Sequence, residues 1–259
     1  MDFDYKFGSE GFFGYGAEGD FTYWSLAHFA PIIITILCLF LVYKFRNKIL
    51  NWKHEETFRF ILAGILIFCE GFYYWRLMYV GNGGNGEQLL TKLPLEVCEW
   101  SAYICAFMLM KKSNNLFQVC FYVCLTLGVI PWFMPAVITD AGPTYARYYQ
   151  FWLEHTVPVF AVFYMIFVHN FRPNYREVWK PFVFLGALAT FAIIANYSIQ
   201  DANFMYLAAG TDGDSIANIL PKSIPVRLVV YLAILLVLFS LLSLPQIIKE
   251  YKEKKKQVQ

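Results

Sequence analysis

Apolar residues in this chain are gathered into seven long runs separated by polar segments. Each run approaches the length of about 20 residues that a helix needs to cross a hydrocarbon core of about 30 Å. The pattern therefore predicts an all-α, polytopic membrane protein with seven transmembrane helices. The predicted spans are approximately residues 25–43, 60–80, 94–110, 116–134, 149–169, 178–197 and 226–248.

The segments outside these runs divide the chain into three predicted regions. We expect an extracytoplasmic amino-terminal tail at residues 1–22, a seven-helix transmembrane domain at 23–249 and a basic cytoplasmic tail at 250–259. The first 22 residues hold five acids and one base, so no cleaved signal peptide is expected. With the amino terminus outside and the carboxyl terminus cytoplasmic, 15 of the 21 basic residues fall on the inner side, in agreement with the positive-inside rule.

Composition supports a membrane protein and narrows its partners. Hydrophobic residues make up 58% of the chain and charged residues 15%, whereas soluble domains are about 25% charged. The net charge of +2 gives no reason to expect nucleic acid as a partner. No protein partner is evident, and the sequence contains no motif for a cofactor, a metal ion or acyl-CoA.

All the cysteines lie within the apolar runs, at Cys38, Cys69, Cys98, Cys105, Cys120 and Cys124. No CxxC pair or Cys/His spacing typical of a metal site occurs, and a disulfide framework is not expected. A buried cysteine behaves as a small hydrophobic residue. This is our interpretation of Cys120 and Cys124, which are one helical turn apart.

The predicted topology brings several polar side chains to one depth near the outer boundary. His28, Cys98 and His155 each fall among the first residues of a span that enters from outside. At a rise of 1.5 Å per residue, Cys98 and His155 lie roughly 6–9 Å below the boundary. Arg76 shares this layer, and Glu70 lies deeper. Ionisable residues inside a membrane are costly and are functional candidates by default.

Cys98 and His155 form the candidate catalytic pair. An imidazole can accept the thiol proton, and the thiolate is the competent nucleophile. The alternative is that Cys98 packs and His155 hydrogen-bonds a backbone carbonyl. Equal depth permits contact between the two side chains but does not require it.

Other polar residues near this pair are candidates for substrate binding or for support of the pair. Glu96 and Glu99 share a helix face that Cys98 does not, and they could bind a lipid amine, orient a histidine or reach water. Ser101 and Asn203 are candidates to stabilise an oxyanion. The complete set is His28, Glu70, Arg76, Glu96, Glu99, Ser101, Asn203 and Tyr206.

Three further ionisable residues are predicted to face water or the membrane interface. Glu154 points about 100° away from His155 on the same helix, and we expect an interfacial carboxylate there. His54 and His169 fall at the inner boundary and are expected to be solvated.

Four short motifs occur in order along the chain. Ser-Leu-Ala-His ends at His28, Leu-Pro-Leu-x-x-Cys ends at Cys98, Phe-Trp-x-x-His ends at His155, and Asn-Phe-Met-Tyr-Leu begins at Asn203. In these motifs and their order, the chain resembles the transmembrane protein 164 family, which includes bacterial YwaF-type integral membrane proteins. The resemblance covers about residues 20–245.

This resemblance implies a phospholipid acyltransferase in which a cysteine and a histidine act together. By motif position these are Cys98 and His155, and the substrates are membrane phospholipid and lysophospholipid. A bacterial cell membrane is expected rather than a eukaryotic endomembrane. The chain departs from the family pattern at Glu96, where bacterial relatives usually have histidine, and in the loop 208–214, which lacks an expected Lys-Pro pair.

Three functions therefore stay open. The first is acyl transfer between phospholipids through a thioester on Cys98 at the outer-leaflet side. The second is a seven-helix lipid or small-solute binding protein, either a receptor or a carrier, without catalysis. The third is a lipid hydrolase that uses the same Cys-His pair, with water in place of the lysolipid.

Overall fold

The computed structural model describes residues 12–14, 21–79, 90–135, 138, 141–208 and 221–258. Within these residues every regular element is helical, which confirms the all-α prediction. The α-helices are α1 (Leu26–Leu50), α2 (Glu55–Tyr79), α3 (Val97–Lys111), α4 (Asn114–Thr126), α5 (Ile130–Phe133), α6 (Ala146–Phe167), α7 (Trp179–Ser198) and α8 (Ile224–Val258). Most of the predicted tail 1–22 and of the loop 208–214 lies outside the described residues.

Five helical segments are long and apolar enough to cross a membrane: Leu26–Leu50, Glu55–Leu77, Asn114–Phe133, Tyr175–Ser198 and Ile224–Lys256. They identify an integral membrane protein. Many apolar side chains on the outermost of these helices are exposed, as Ile34 and Val229 are, which suits contact with lipid tails. Two of the predicted spans are not in this group. The helix α3 has 15 residues, about 22 Å, and α6 carries Arg147 and Glu154.

Hydrogen bonds between helix ends define two opposite ends of the bundle. Tyr74, near the end of α2, bonds Glu99, near the beginning of α3. Glu55, at the beginning of α2, bonds Tyr164 near the end of α6. Therefore α2 runs antiparallel to both α3 and α6. The candidate residues gather at the end that contains Tyr74 and Glu99, which we call the site end.

The core lies where α2, α3, α4 and α6 pack together. Ala102 and Ala106 on α3 belong to the same buried cluster as Leu66 on α2, Tyr122 on α4 and Met165 on α6, and all five side chains are fully buried. Lipid tails supply no hydrophobic drive for helix association, so membrane helices associate through close packing, which small residues permit. This packing holds α3, which bears Cys98, between α2 and α6.

A buried polar network closes the end opposite the site. The carboxylate of Glu55 accepts hydrogen bonds from Arg59 at 2.9 Å and from the hydroxyl of Tyr164 at 2.9 Å. The ring nitrogen Nε2 of His169 lies 2.7 Å from the same carboxylate. The prediction that His169 is solvated is therefore wrong, because its side chain is 9% exposed and bound to Glu55.

The last helix is longer than its apolar run. The predicted span ends at residue 248, but α8 continues through the basic segment to Val258. Glu250 fixes part of this extension, since it accepts hydrogen bonds from Tyr175 at 2.8 Å and Arg176 at 2.6 Å. The predicted tail 250–259 is therefore mostly a helical extension of α8.

Candidate functional site

The beginning of α3 is fixed by two carboxylates. The sequence predicts this span from Pro94, but the helix begins at Val97 with Glu96 as its N-cap. Oε2 of Glu99 accepts the backbone N–H of Glu96 at 3.0 Å, as in a capping box, which satisfies a donor that the helix itself leaves unpaired. Glu99 thus stabilises the helix start beside Cys98.

The two glutamates are also tied to other elements, so neither simply reaches water. Oε1 of Glu99 accepts the hydroxyl of Tyr74 at 2.8 Å, and Glu99 is buried. Oε1 of Glu96 accepts the backbone N–H of Met205 at 3.1 Å. The third helix therefore begins between α2 and the segment after α7.

Cys98 occupies the second position of α3 and is partly buried. Its thiol lies within electrostatic range of four carboxylates, those of Glu154, Glu96, Glu99 and Glu70. Among the described residues, no hydrogen bond joins this thiol to His155. The helices that carry the two residues, α3 and α6, nevertheless pack against each other.

His155 is buried within α6 and has a defined ring orientation. Its Nδ1 lies 2.7 Å from the carbonyl oxygen of Phe151, one turn earlier. A carbonyl can only accept, so Nδ1 carries the hydrogen, and in the neutral ring the lone pair is on Nε2. The ring also packs on Phe151, with centroids 4.3 Å apart.

His28 supports the region around His155 through the backbone. Its Nε2 lies 2.8 Å from the carbonyl of Trp132, and its Nδ1 accepts the N–H of Trp24 at 3.1 Å. The indole of Trp132 donates in turn to the carbonyl of His155 at 3.0 Å. Since both nitrogens of His28 engage backbone groups, we assign His28 a positioning role.

The remaining carboxylates differ in their partners. Glu70 is 1% exposed, and neither of its oxygens has a hydrogen-bond partner among the described residues. Glu154 is buried too, which contradicts the interfacial position predicted for it. It accepts a hydrogen bond from Gln150 at 2.5 Å and lies 3.9 Å from Arg147. These two partners compensate the desolvation of Glu154.

The segment after α7 approaches the beginning of α3. Asn203 caps a turn by accepting the N–H of Ala208 at 3.0 Å. Met205 and Tyr206 both have left-handed backbones, with φ of 53° and 54°, a conformation that costs non-glycine residues about 1–2 kcal/mol. The hydroxyl of Tyr206 lies within electrostatic range of Glu96 and Cys98. The strained turn therefore presents Tyr206 towards the site end.

Two of the predicted site residues have structural partners. The hydroxyl of Ser101 donates to the carbonyl of Val97 at 2.6 Å, so in this state its proton is engaged within α3. Arg76 is buried and donates to the carbonyl of Gly14 at 2.9 Å. Gly14, in the described residues 12–14, thus lies against the site end.

The family of the chain follows from a comparison with protein-family models. The model of the TMEM164 family matches residues 23–243, which includes every helix that forms the site. The chain belongs to the TMEM164 family. Searches of curated proteins and of solved structures gave no significant match. The family assignment confirms the resemblance drawn from the motifs around His28, Cys98, His155 and Asn203.

Several residues that shape this TMEM164-family site were not among the predicted ones. Tyr74 binds Glu99, Trp132 binds His155, and Arg147 lies against Glu154. Arg227 on α8 donates to the carbonyls of Tyr206 and Ala208 and so holds the strained turn. Arg227 carried a detectable signal, because it falls inside the predicted span 226–248 and charged residues inside apolar runs are rare. Arg147 precedes the predicted span 149–169 and carried no such signal. Tyr74 and Trp132 carried none either, since aromatic residues are abundant throughout the chain.

Possible metal ligands also converge in the described residues, but away from this site. The sulfur atoms of Cys105, Cys120 and Cys124 lie within 4.8 Å of one another. They belong to the core below the beginning of α3.

Proposed function

We propose that the protein is an intramembrane phospholipid acyltransferase, with Cys98 as nucleophile and His155 as base. The observation that carries the proposal is the packing of α3 against α6 in a chain of the TMEM164 family, because these helices bear the motif cysteine and histidine. The resemblance of the motifs to the family implies the reaction.

Exposure distinguishes Cys98 from four of the other cysteines. Cys69, Cys105, Cys120 and Cys124 are buried, whereas Cys98 is partly accessible at the beginning of α3. Cys38 is also exposed. It lies on α1, where His28 is the only predicted site residue. A nucleophile for lipid must be reachable from the bilayer, and Cys98 satisfies this condition.

The ring orientation of His155 suits a base. Because Nδ1–H is bonded to Phe151, Nε2 is the nitrogen that can accept a proton. Catalytic hydrogen bonds are often long or absent before substrate binds. The proposal therefore requires Nε2 and the Cys98 sulfur to approach each other in the substrate complex.

In the first half of the reaction, the sulfur of Cys98 attacks the carbonyl carbon of a phospholipid acyl ester while Nε2 of His155 takes the thiol proton. The ester bond breaks, and the departing lysophospholipid oxygen takes that proton from His155. In the second half, a lysophospholipid hydroxyl attacks the thioester and gives its proton to His155. The C–S bond breaks, and the proton returns to Cys98.

Local charge favours proton removal in step with attack. Where Glu154, Glu99 and Glu70 are ionised, they repel a thiolate at Cys98, so a standing thiolate is not part of the proposal. The developing oxyanion needs a donor. Ser101 is engaged with Val97, and we assign this role to Tyr206, which lies in the turn that the Glu96–Met205 hydrogen bond joins to the beginning of α3.

The proposal includes a topology with seven spans and the amino terminus outside. In this topology α3 and α6 complete the set of membrane helices, and the site end lies in the outer leaflet. Six basic residues lie outside or within spans in this topology, and three of them, Arg76, Arg147 and Arg227, donate hydrogen bonds within the protein. Phospholipids of the outer leaflet of a bacterial cell membrane then reach Cys98, whereas cytosolic acyl-CoA does not.

The test is lipid turnover by the purified protein with a labelled phospholipid and a lysophospholipid acceptor. We expect acyl transfer and a mass increase of one acyl chain on the wild type, released by hydroxylamine as a thioester. Both signals should disappear in Cys98→Ala and persist in Cys69→Ala, the matched buried cysteine. Unchanged turnover in Cys98→Ala rejects the mechanism.

The same experiment separates the other functions. Release of free fatty acid in the absence of lysophospholipid, at the same rate as in its presence, identifies a hydrolase. Retention of labelled lipid without turnover or acylation, equally in wild type and Cys98→Ala, identifies a binding protein.

A further inference from the structure

Three thiols meet in the core, on a part of the molecule that the proposed acyl transfer does not use. Cys105 is on α3, while Cys120 and Cys124 are one turn apart on α4. Their sulfurs lie within 4.8 Å of one another, and Cys105 and Cys124 are 3.6 Å apart. All are free thiols that are at most 1% exposed. We call these three residues the thiol cluster.

We propose that the thiol cluster binds a soft, monovalent metal ion, Cu(I). A metal–sulfur bond of about 2.3 Å, as in zinc thiolates, places the sulfurs of a trigonal site about 4.0 Å apart. The 3.6 Å separation of the Cys105 and Cys124 sulfurs and the limit of 4.8 Å within which all three sulfurs lie are compatible with this value. The 3.6 Å separation exceeds by far the length of about 2.05 Å of a disulfide bond. An ion can therefore enter between the sulfurs with small adjustments of the side chains.

The surroundings select a soft ion that needs no water. Thiolates prefer Cu(I) and zinc among the common metal ions, but structural zinc is almost always four-coordinate. Within the described residues, no fourth His, Cys, Asp or Glu ligand joins the cluster. The carbonyl of Pro158, 3.9 Å from the Cys105 sulfur, is a hard oxygen donor.

The position of the thiol cluster connects it to α3. Cys105 lies seven residues after Cys98, which is two helical turns along the same helix. A metal ion held by Cys105, Cys120 and Cys124 would cross-link α3 to α4, whose packing otherwise rests on apolar contacts. The bound ion therefore stabilises the bundle, because a ligand that binds only the folded state raises its stability. This inference does not depend on acyl transfer.

The experiment is a titration of the full-length, detergent-solubilised protein with Cu(I) under anaerobic, reducing conditions against a chromogenic Cu(I) chelator. We expect one Cu(I) per chain, an X-ray absorption spectrum with sulfur ligands only, and a rise in the apparent unfolding temperature. Each cysteine that binds as thiolate releases its proton, so the affinity should increase with pH.

Variants assign the site. Cys105→Ser, Cys120→Ser and Cys124→Ser should each lower the Cu(I) affinity by more than about 100-fold, because each removes a direct ligand. Loss of a residue that only hydrogen-bonds a metal ligand typically lowers metal affinity 10–100-fold. Cys38→Ser and the buried Cys69→Ser should bind like the wild type. The wild-type measurements keep the test decisive if a cluster variant fails to fold. Absence of chelator-resistant Cu(I) in the wild type, a spectrum with oxygen or nitrogen ligands, or full retention in Cys105→Ser overturns the proposal.

Discussion

Tyr74 on α2 donates a hydrogen bond of 2.8 Å to Oε1 of Glu99 on α3, while Oε2 of the same carboxylate accepts the N–H of Glu96 at 3.0 Å. One side chain therefore caps the third helix and fastens it to the second. Because Cys98 lies inside this capped turn, its position depends on a tyrosine of another helix.

Replacement of Tyr74 by phenylalanine should destabilise the protein. The change removes the hydroxyl and leaves Oε1 of buried Glu99 without this donor, which costs about 1–3 kcal/mol. We expect a lower apparent unfolding temperature in detergent. The exposed Tyr197 provides the control, since Tyr197→Phe should stay within about 0.5 kcal/mol of the wild type. Equal stability of Tyr74→Phe and Tyr197→Phe would contradict this account.

Glu70 should be replaceable with a gain in stability. It is buried, and neither oxygen has a hydrogen-bond partner in the described residues, so its desolvation is uncompensated. Glu70→Met fills a similar volume with apolar atoms, and we expect a gain of about 1–3 kcal/mol. If Glu70 supports the site, the gain comes with reduced lipid turnover, as in other stability–activity trade-offs.

Glu154 gives the matched comparison for Glu70. Glu154→Met removes the acceptor of Gln150 and the counter-charge of Arg147, so it should lower the unfolding temperature. Thermal unfolding of the two variants in one detergent measures the contrast. A loss of stability in both would show that Glu70 has a stabilising partner.

The hydrophobic pattern predicted the helices and the layer of polar residues, because both depend on spacing along the chain. The motifs predicted Cys98 and His155, and the helices that bear them do pack together. The partners of the buried charged residues could not be predicted from the sequence. Glu55 and His169 are 114 residues apart in sequence, and no local pattern indicates that they meet.

Burial of polar side chains was also underestimated. Glu154 was expected at the membrane interface and His169 in water, because both fall near the predicted ends of spans. Both are instead bound inside the bundle, Glu154 to Gln150 and Arg147 and His169 to Glu55. The thiol cluster was missed for a related reason. Cys120 and Cys124 are close in sequence, but the third thiol comes from α3, and only helix packing brings it within reach.

Glu96 should control the turn after α7. Its Oε1 accepts the N–H of Met205, which has a left-handed backbone. Glu96→Ala removes this acceptor, and a loss of about 1 kcal/mol per hydrogen bond speeds exchange of the Met205 amide by about fivefold. Glu96→Gln keeps an acceptor oxygen and should exchange like the wild type. Hydrogen–deuterium exchange of the peptide covering residues 203–208 measures both.

The exposed Glu56 on α2 is the control for this experiment. Glu56→Ala lies at the opposite end of the bundle and should leave exchange at 203–208 unchanged. If Glu96→Ala also left it unchanged, the hydrogen bond to Met205 would have no part in holding the turn.

Glu55 should be among the most sensitive positions for stability. Its carboxylate accepts hydrogen bonds from Arg59 and Tyr164, and His169 lies 2.7 Å away. Glu55→Leu leaves Arg59, which is 1% exposed, without its counter-ion. Breaking one partner of a buried ion pair costs about 3–5 kcal/mol, so a large fall in unfolding temperature is expected.

The double variant Glu55→Leu/Arg59→Leu tests the reason for this sensitivity. Because it removes both charges, no buried ion is left uncompensated, and replacing a whole buried pair by apolar residues is often close to neutral. The double variant should therefore be more stable than Glu55→Leu alone, with a coupling energy above about 0.5 kcal/mol in a double-mutant cycle. Additive losses would mean that Glu55 acts mainly through Tyr164 and His169. The single variant Arg59→Leu completes the cycle, and thermal unfolding of all four proteins in the same detergent provides the four free energies.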